Sequence, residues 1–241
     1  MKSIERYAPL LKCRTEAEWL AMLIRMGREH GYEKTLIAVA PDRHALLDDT
    51  YVRSNYPSQW RNTYDRAGYA IIDPVVAHCL MRSTPLIWEA EMFAGKLQKE
   101  MYEEACSHGI RAGVTLPLHG PQGELGILCF VNDVRPDAHF RDEAVRNMPA
   151  LSMLRDFVFD TAFERARAAF KSGAAPDITG RELECLKWGA SGISPLEISQ
   201  KLNCSERTVN FHFNNIRRKL KAKSRQQAIV KALRMGLVQT A

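Results

Sequence analysis

Four helix starts are written into residues 179–241, and their spacing leaves few folds open. Thr179 stands three positions before Glu182, and Ser194 three positions before Glu197. In each pair the hydroxyl can accept from the backbone N–H of the acid, while the carboxylate reaches back to the N–H of the capping residue. Pro195 occupies a first helical position, where a missing N–H costs nothing. Ser205 can cap a third helix and Ser224 a fourth. Apolar residues then recur at the helical period: Leu183, Leu186 and Ala190; Leu196, Ile198 and Leu202; Val209, Phe213, Ile216 and Leu220; Ile229, Ala232 and Leu233. Only Asn203, Cys204 and the cap separate the second helix from the third. That is the arrangement of a helix-turn-helix.

The third helix buries Val209, Phe213, Ile216 and Leu220, so its opposite face presents Arg207, Asn210, Phe211, Asn214 and Arg218. Asn can pair bidentately with adenine and Arg with guanine. Residues 217–225 read RRKLKAKSR, six cations in nine positions. Arg217, Arg218, Lys221, Lys223, Ser224 and Arg225 suit phosphate contacts better than base reading. Charge partition agrees. Residues 1–170 carry 21 Lys/Arg against 23 Asp/Glu, a net −2, whereas residues 179–241 carry 12 against 4, a net +8. A basic module attached to a faintly acidic body suggests a polyanion partner, here double-stranded DNA. The plainer alternative is a solvated basic surface.

Residues 171–177 read KSGAAPD, small and breaker-rich. They divide the chain into a body over 1–170, a linker over 171–178 and a DNA-binding tail over 179–241. In the body, Thr15 and Glu18 form a capping-box pattern before Trp19, Leu20, Leu23, Ile24 and Met26, and Gly31 ends that helix. Residues 34–41 read as a buried strand. Residues 57–66 and 74–81 read as short helices, the second capped by Asp73 with Pro74 at its first position. Residues 86–88 suit an edge strand, and 98–108 a helix stopped by Gly109. Residues 113–118 and 124–131 form a hairpin around the turn-rich 119–123. Residues 138–171 carry a long helical pattern that Pro149 is expected to kink or split. The fold class is α+β: an α/β/α sandwich on an antiparallel sheet, followed by an all-α four-helix domain.

Composition closes off other classes. Hydrophobic residues at 46% and charged residues at 26% describe an ordinary globular chain. No apolar run approaches the roughly 18–20 residues that span a bilayer. Charges interrupt residues 1–16, where a signal peptide would need an apolar core, so the expected location is the cytoplasm, with no membrane partner. None of the six cysteines forms a Cys-x-x-Cys pair or has a His at zinc-ligand spacing, so no metal and no disulfide framework is expected. No Gly-x-Ser-x-Gly, His-Glu-x-x-His or phosphate loop is present, so there is no catalytic residue and no cofactor to name.

One cluster remains. Tyr56, Trp60, Tyr64, Tyr69, Asp73 and Trp88 are large amphipathic rings gathered near one acid. They suit a ligand pocket, apolar with a few polar groups. They equally suit an aromatic core with an N-capping Asp.

These residues together resemble the LuxR-type quorum-sensing regulators. In the tail the match runs through Thr179 to Glu182, Leu186, Gly192, Glu197, Ile198, Leu202, the run SERTVNFH over 205–212, NIRRKL over 215–220, and Ser224. In the body it runs through Asn55, Tyr56, Pro57, Trp60, YDRAGY over 64–69, Asp73, Pro74, Trp88 and Gly113. The runs YDRAGY and LPLHG, over 116–120, are most similar to the long-chain, LasR-like branch. The resemblance implies an N-acyl-homoserine lactone enclosed between sheet and helices. It implies that Trp60 donates to the lactone carbonyl, Asp73 accepts the amide N–H, and Tyr56 donates to the amide carbonyl. Tyr64 and Trp88 would wall the head group, and Arg61 matches a position associated with a 3-oxo substituent. Leu36, Ala38, Val76, Cys79, Ala105, Leu125 and Ile127 would line the acyl channel. Cys129 departs, standing where that branch has a hydroxyl. The resemblance further implies a homodimer, a palindromic promoter site, an activator's role and RNA polymerase as a partner. A ligand-independent regulator and a lactone-processing enzyme are the alternatives, the latter lacking any nucleophile or metal constellation.

Overall fold

The computed structural model describes residues 5–40, 50–121, 123–172 and 177–238. Residues 173–176 of the expected linker, Pro41 and Gln122 lie outside the described residues. The chain divides into two compact units, Met1–Phe170 and Lys171–Ala241.

In the first unit, α1 (Ala8–Lys12) and α2 (Glu16–Glu29) precede β1 (Lys34–Ala40) and β2 (Tyr51–Ser54). Next come α3 (Ser58–Ala67), α4 (Pro74–Met81), β3 (Leu86–Ile87) and α5 (Lys96–Ser107). The hairpin β4 (Ala112–His119) and β5 (Leu125–Asn132) leads into α6 (Ala138–Ser172). The sheet is antiparallel throughout, in the order β2-β1-β5-β4-β3. Register places Leu36 opposite Cys129, and Cys129 opposite Thr115. Gly126 sits where two strands close in; a Cβ there would lie 2.5 Å from the Ala38 carbonyl oxygen.

Because side chains alternate across the pleat, each strand serves two cores. Ile37, Val39, Val114, Leu116, Leu128 and Phe130 join Trp19 and Leu23 of α2 and Leu151, Leu154 and Val158 of α6. The Trp19 indole N–H donates to the Thr161 hydroxyl at 2.9 Å and ties α2 to α6. Leu36, Cys129 and Val131 face the other way, toward Trp60, Val75, Met101 and Ala105. The result is the expected sandwich. The capping box on α2 forms, with Thr15 Oγ1 accepting from the Glu18 N–H at 3.2 Å.

Pro149 does not split the long helix, which runs without a break through it. Proline removes one intrahelical hydrogen bond, freeing the carbonyl of Val145. Val145 and Pro149 are both exposed, so that carbonyl lies on the watered side.

The second unit contains α7 (Gly180–Ala190), α8 (Pro195–Lys201), α9 (Glu206–Lys219) and α10 (Arg225–Arg234). Leu186, Ile198, Val209, Phe213, Ile216 and Ala232 form its core. Thr179, Ser194, Ser205 and Ser224 each accept at the start of a helix, as their positions predict. Asn203, in the turn between α8 and α9, takes a left-handed φ of 50°, which Asn tolerates better than most residues.

Candidate functional site

The second face of the sheet and helices α3, α4 and α5 line a cavity of about 790 Å³. This lies toward the upper end of the roughly 300–1,000 Å³ usual for small-molecule pockets. Every residue that the resemblance assigns to the ligand lies on its wall, from Leu36 and Ala38 on β1 to Leu125, Ile127 and Cys129 on β5; Tyr69, the remaining ring of the aromatic cluster, does not line it and packs against Trp60 and Tyr64 instead.

Polar groups gather around Asp73, the residue that caps α4. One carboxylate oxygen accepts from the Val75 N–H at 2.8 Å, the other from the Tyr64 hydroxyl at 2.9 Å. Tyr64 thus orients the acid as well as walling the cavity. Burial raises the Asp73 carboxyl pKa, against the opposing effect of the Val75 N–H and the Tyr64 hydroxyl. Burial likewise pushes the phenols of Tyr56 and Tyr64 well up, so both stay protonated donors. Among the described residues, neither the Tyr56 hydroxyl nor the Trp60 indole N–H has a hydrogen-bond partner within the protein. Both residues line the cavity, so the two donors are available to an acceptor from outside the chain.

Rings hold these groups in place. The Trp60 ring meets Tyr64 edge-on, with centroids 5.7 Å apart, and Tyr69 at 6.0 Å. Arg61 reaches both oxygens of Asp65, at 2.9 and 3.2 Å, and lies over the Tyr64 ring. Trp88 donates its indole N–H to Thr115 Oγ1 at 2.8 Å. A Cβ at Gly113 would come within 3.1 Å of the Trp88 ring, which explains a glycine there.

Several further wall residues, Phe93, Met101, Tyr102 and Ile110 among them, and one residue behind the wall escape the sequence reading. Met101 and Tyr102 line the cavity with Ala105. They precede it by four and three positions, so helical spacing from Ala105 points to both. Phe93, stacked on Tyr102 at 4.3 Å, and Ile110 lie outside regular helix and give no periodic signal. Thr115 stands behind Trp88 and Cys129 and is found only through strand register.

On the second unit, Arg207, Asn210, Phe211, Asn214 and Arg218 are all exposed on α9. Phe211 is a large aromatic at 61% exposure. The basic run divides in two. Arg218, Lys221 and Lys223 are exposed. Arg217 instead donates to the Lys223 carbonyl at 2.8 Å, and Arg225 to the Ile193 carbonyl at 2.9 Å. Arg225 also lies over the Phe213 ring, and burial lowers its pKa. The Ser224 hydroxyl is engaged as the cap of α10. Arg217 and Ser224 thus pair groups of the turn after α9, and Arg225 ties that turn to the one between α7 and α8.

Glu182 does more than cap. It is 2% exposed, accepts from the Thr179 N–H at 2.8 Å and from Lys219 Nζ at 2.7 Å. Burial alone would raise its pKa, but the Lys219 ammonium and the Thr179 groups hold it below the ordinary value. The start of α7 is thereby fastened to the end of α9.

Among the described residues no group of His, Cys, Asp and Glu could hold a metal, and no helix is long and apolar enough to cross a membrane. Residues 15–162 match the autoinducer binding domain, and residues 177–232 match the bacterial regulatory proteins of the luxR family. The transcriptional activator protein VanR of Vibrio anguillarum is 32% identical over 208 residues, covering 86% of this chain and 85% of its own. The transcriptional activator protein LuxR of Aliivibrio fischeri is 33% identical over 213 residues, covering 86% and 82%. Among solved structures, Escherichia coli SdiA in complex with octanoyl-rac-glycerol is similar in fold, with TM-score 0.74 at 24% identity, covering all of this chain and 97% of that one. CepR2 of Burkholderia cenocepacia, described as N-acylhomoserine lactone dependent, covers 68% of this chain and 96% of its own, with TM-score 0.57 at 21% identity. A ligand cavity in one unit and an exposed helix-turn-helix in the other now have their explanation: the chain belongs to the LuxR family of transcription regulators, signal-responsive DNA-binding proteins and not enzymes.

Proposed function

We propose that the cavity binds an N-acyl-homoserine lactone with a long acyl chain, and that occupancy licenses a homodimer to bind a palindromic promoter site and activate transcription with RNA polymerase. The observation that carries the ligand reading is the pair of unpaired donors, Tyr56 and Trp60, beside the buried acceptor Asp73. An acyl-homoserine lactone offers an amide N–H and two carbonyls. Trp60 serves the lactone carbonyl, Tyr56 the amide carbonyl and Asp73 the N–H, while the apolar wall takes the chain. The volume supports a long chain, and Arg61 on the wall is available to a 3-oxo group. Soluble yield during expression tests this cheaply: long-chain lactone in the medium raises it, and 1-octanoylglycerol does so less. Equal yield with and without lactone favours a regulator that folds unliganded.

Asp73 supplies a second test. A hydrogen bond to a charged acceptor contributes about 1.5–3 kcal/mol, so Asp73→Asn lowers lactone sensitivity about 10- to 100-fold at near-normal expression. The pH dependence has a definite sign. With its folded pKa raised, Asp73 binds its proton more tightly in the empty fold than in the unfolded chain, and stability falls as pH rises through that pKa. A ligand N–H favours the charged carboxylate, so affinity rises with pH over the same window and then levels. Asp73→Asn flattens the profile; an unchanged slope means another group titrates.

For DNA, a single recognition helix reads few bases, and two-fold symmetry doubles the reading. Asn210 and Asn214 are placed for base edges, with Arg207 and Phe211 beside them. Arg218, Lys221 and Lys223 hold phosphates, and Arg217, Ser224 and Arg225 support the same turn. Asn210→Ala weakens a specific site by about 1–3 kcal/mol and leaves random DNA nearly unaffected. Arg218→Ala weakens both. Fluorescence anisotropy on the two DNAs separates these outcomes, and equal losses for Asn210→Ala would refute base reading.

A further inference from the structure

We propose that Thr115 directs a hydrogen-bond relay that presents the Cys129 thiol to the ligand as a donor, making Thr115 a positioning residue for the amide carbonyl. The proposal rests on the lactone reading above.

Direction follows from what each group can do. An indole N–H only donates, so the Trp88 contact at 2.8 Å uses Thr115 Oγ1 as an acceptor. Thr115 is fully buried, and its single hydroxyl proton needs an acceptor of its own. Cys129 Sγ, at 3.2 Å, is the one remaining side-chain partner of that hydroxyl among the described residues. Thr115 therefore donates to the sulfur. The thiol proton of Cys129 is left free, and it cannot point back along a bond that the Thr115 proton already occupies.

Placement does the rest. Thr115 and Cys129 are directly paired across β4 and β5, on the face that looks into the cavity. Cys129 lines the cavity and Thr115 does not. The free S–H can turn to the cavity, whose wall Cys129 shares with Tyr56. Burial pushes the thiol pKa up to about 12, so the proton is present at any physiological pH. A sulfur that accepts on one side is also a better donor on the other, because chained hydrogen bonds polarise one another. This chain lacks a hydroxyl at position 129, and the relay recruits one from the neighbouring strand.

The test compares two probes on the full chain by calorimetry: N-dodecanoyl-homoserine lactone and its thioamide, whose sulfur is the poorer acceptor. The parent prefers the amide. Thr115→Val lowers amide affinity about 3- to 10-fold, the equivalent of one neutral hydrogen bond, and leaves the thioamide within about twofold. Thr115→Ser retains the parent's preference. Cys129→Ser raises amide affinity, since a hydroxyl donates more strongly than a thiol. Equal losses for both probes in Thr115→Val overturn the relay and leave the lactone site standing. A parent that binds neither probe overturns the lactone reading and the relay with it. Infrared difference spectra between the parent and Cys129→Ala need no change at Thr115. The S–H stretch assigned to Cys129 falls in frequency when the amide probe binds, and a stationary band overturns the proposal.

Discussion

The folded chain melts about 5–10 °C higher in saturating N-dodecanoyl-homoserine lactone than without it. An enclosed ligand binds the native state and not the unfolded chain, so at 100 times its dissociation constant it adds about 2.7 kcal/mol. For a unit of this size each kcal/mol moves the midpoint by about 2–4 °C. The cavity makes the coupling strong. Its walls come from β1, β5, α3, α4 and α5, so opening any one of them exposes the ligand and forfeits the binding energy. Asp73 is desolvated by the fold, so a ligand N–H that pairs with it adds to the gain. Differential scanning fluorimetry over the series from butanoyl to tetradecanoyl lactone reads the effect directly. The shift grows with chain length until the apolar wall is covered. A flat series removes the lactone from consideration.

Lys219→Met destabilises the DNA-binding unit by about 3 kcal/mol. Removing one partner of a buried ion pair typically costs about 3–5 kcal/mol, because the other charge stays behind uncompensated. Glu182 is almost wholly buried, while the Lys219 side chain keeps 23% of its surface in water, which places the loss at the low end. Glu182→Gln costs less, since the amide oxygen can still accept from Thr179 and the Lys219 ammonium left without its counter-charge keeps 23% of its side chain in water. The variant's stability also becomes less pH-dependent. Glu182 has a folded pKa below its unfolded value, so the stability it adds is present above the ordinary carboxylate range and is lost as pH falls through the folded pKa. Urea titration of the full chain at neutral and acid pH, followed by the signal of Trp188 in the same unit, measures both effects. Equal stability of parent and Lys219→Met would show that the pair is decorative.

The same interaction shows where sequence reading stops. Glu182 announces itself as a cap by its spacing from Thr179, but the Lys219 contact joins residues 37 positions apart and leaves no local trace. Helix starts in the tail are legible because capping is local chemistry, decided within four residues. Pocket walls on β1 and β5 come from the resemblance, and alternation along β5 agrees by putting Leu125, Ile127 and Cys129 on one face. Strand register is not, and Thr115 is hidden for that reason alone. β2, with only Tyr51 buried in YVRS, offers no alternating stretch to detect. Pro149 misleads because the rule against proline in helices assumes that the freed carbonyl goes unpaired, whereas an exposed one finds water. Arg217 and Arg225 look like phosphate ligands in a run of six cations, and only the fold reveals that carbonyls of the turn and of residue 193 hold them.

Ligand occupancy can be read without any mutation. The chain is expressed in cells supplied with an equimolar mixture of lactones from butanoyl to tetradecanoyl together with 1-octanoylglycerol, and the purified protein is analysed by native mass spectrometry. A cavity of about 790 Å³ with Tyr56, Trp60 and Asp73 at its polar end predicts one long-chain lactone per chain, selected from the mixture and lost in Asp73→Asn. Folded protein that carries no lactone, or that carries the acylglycerol in its place, contradicts the assignment.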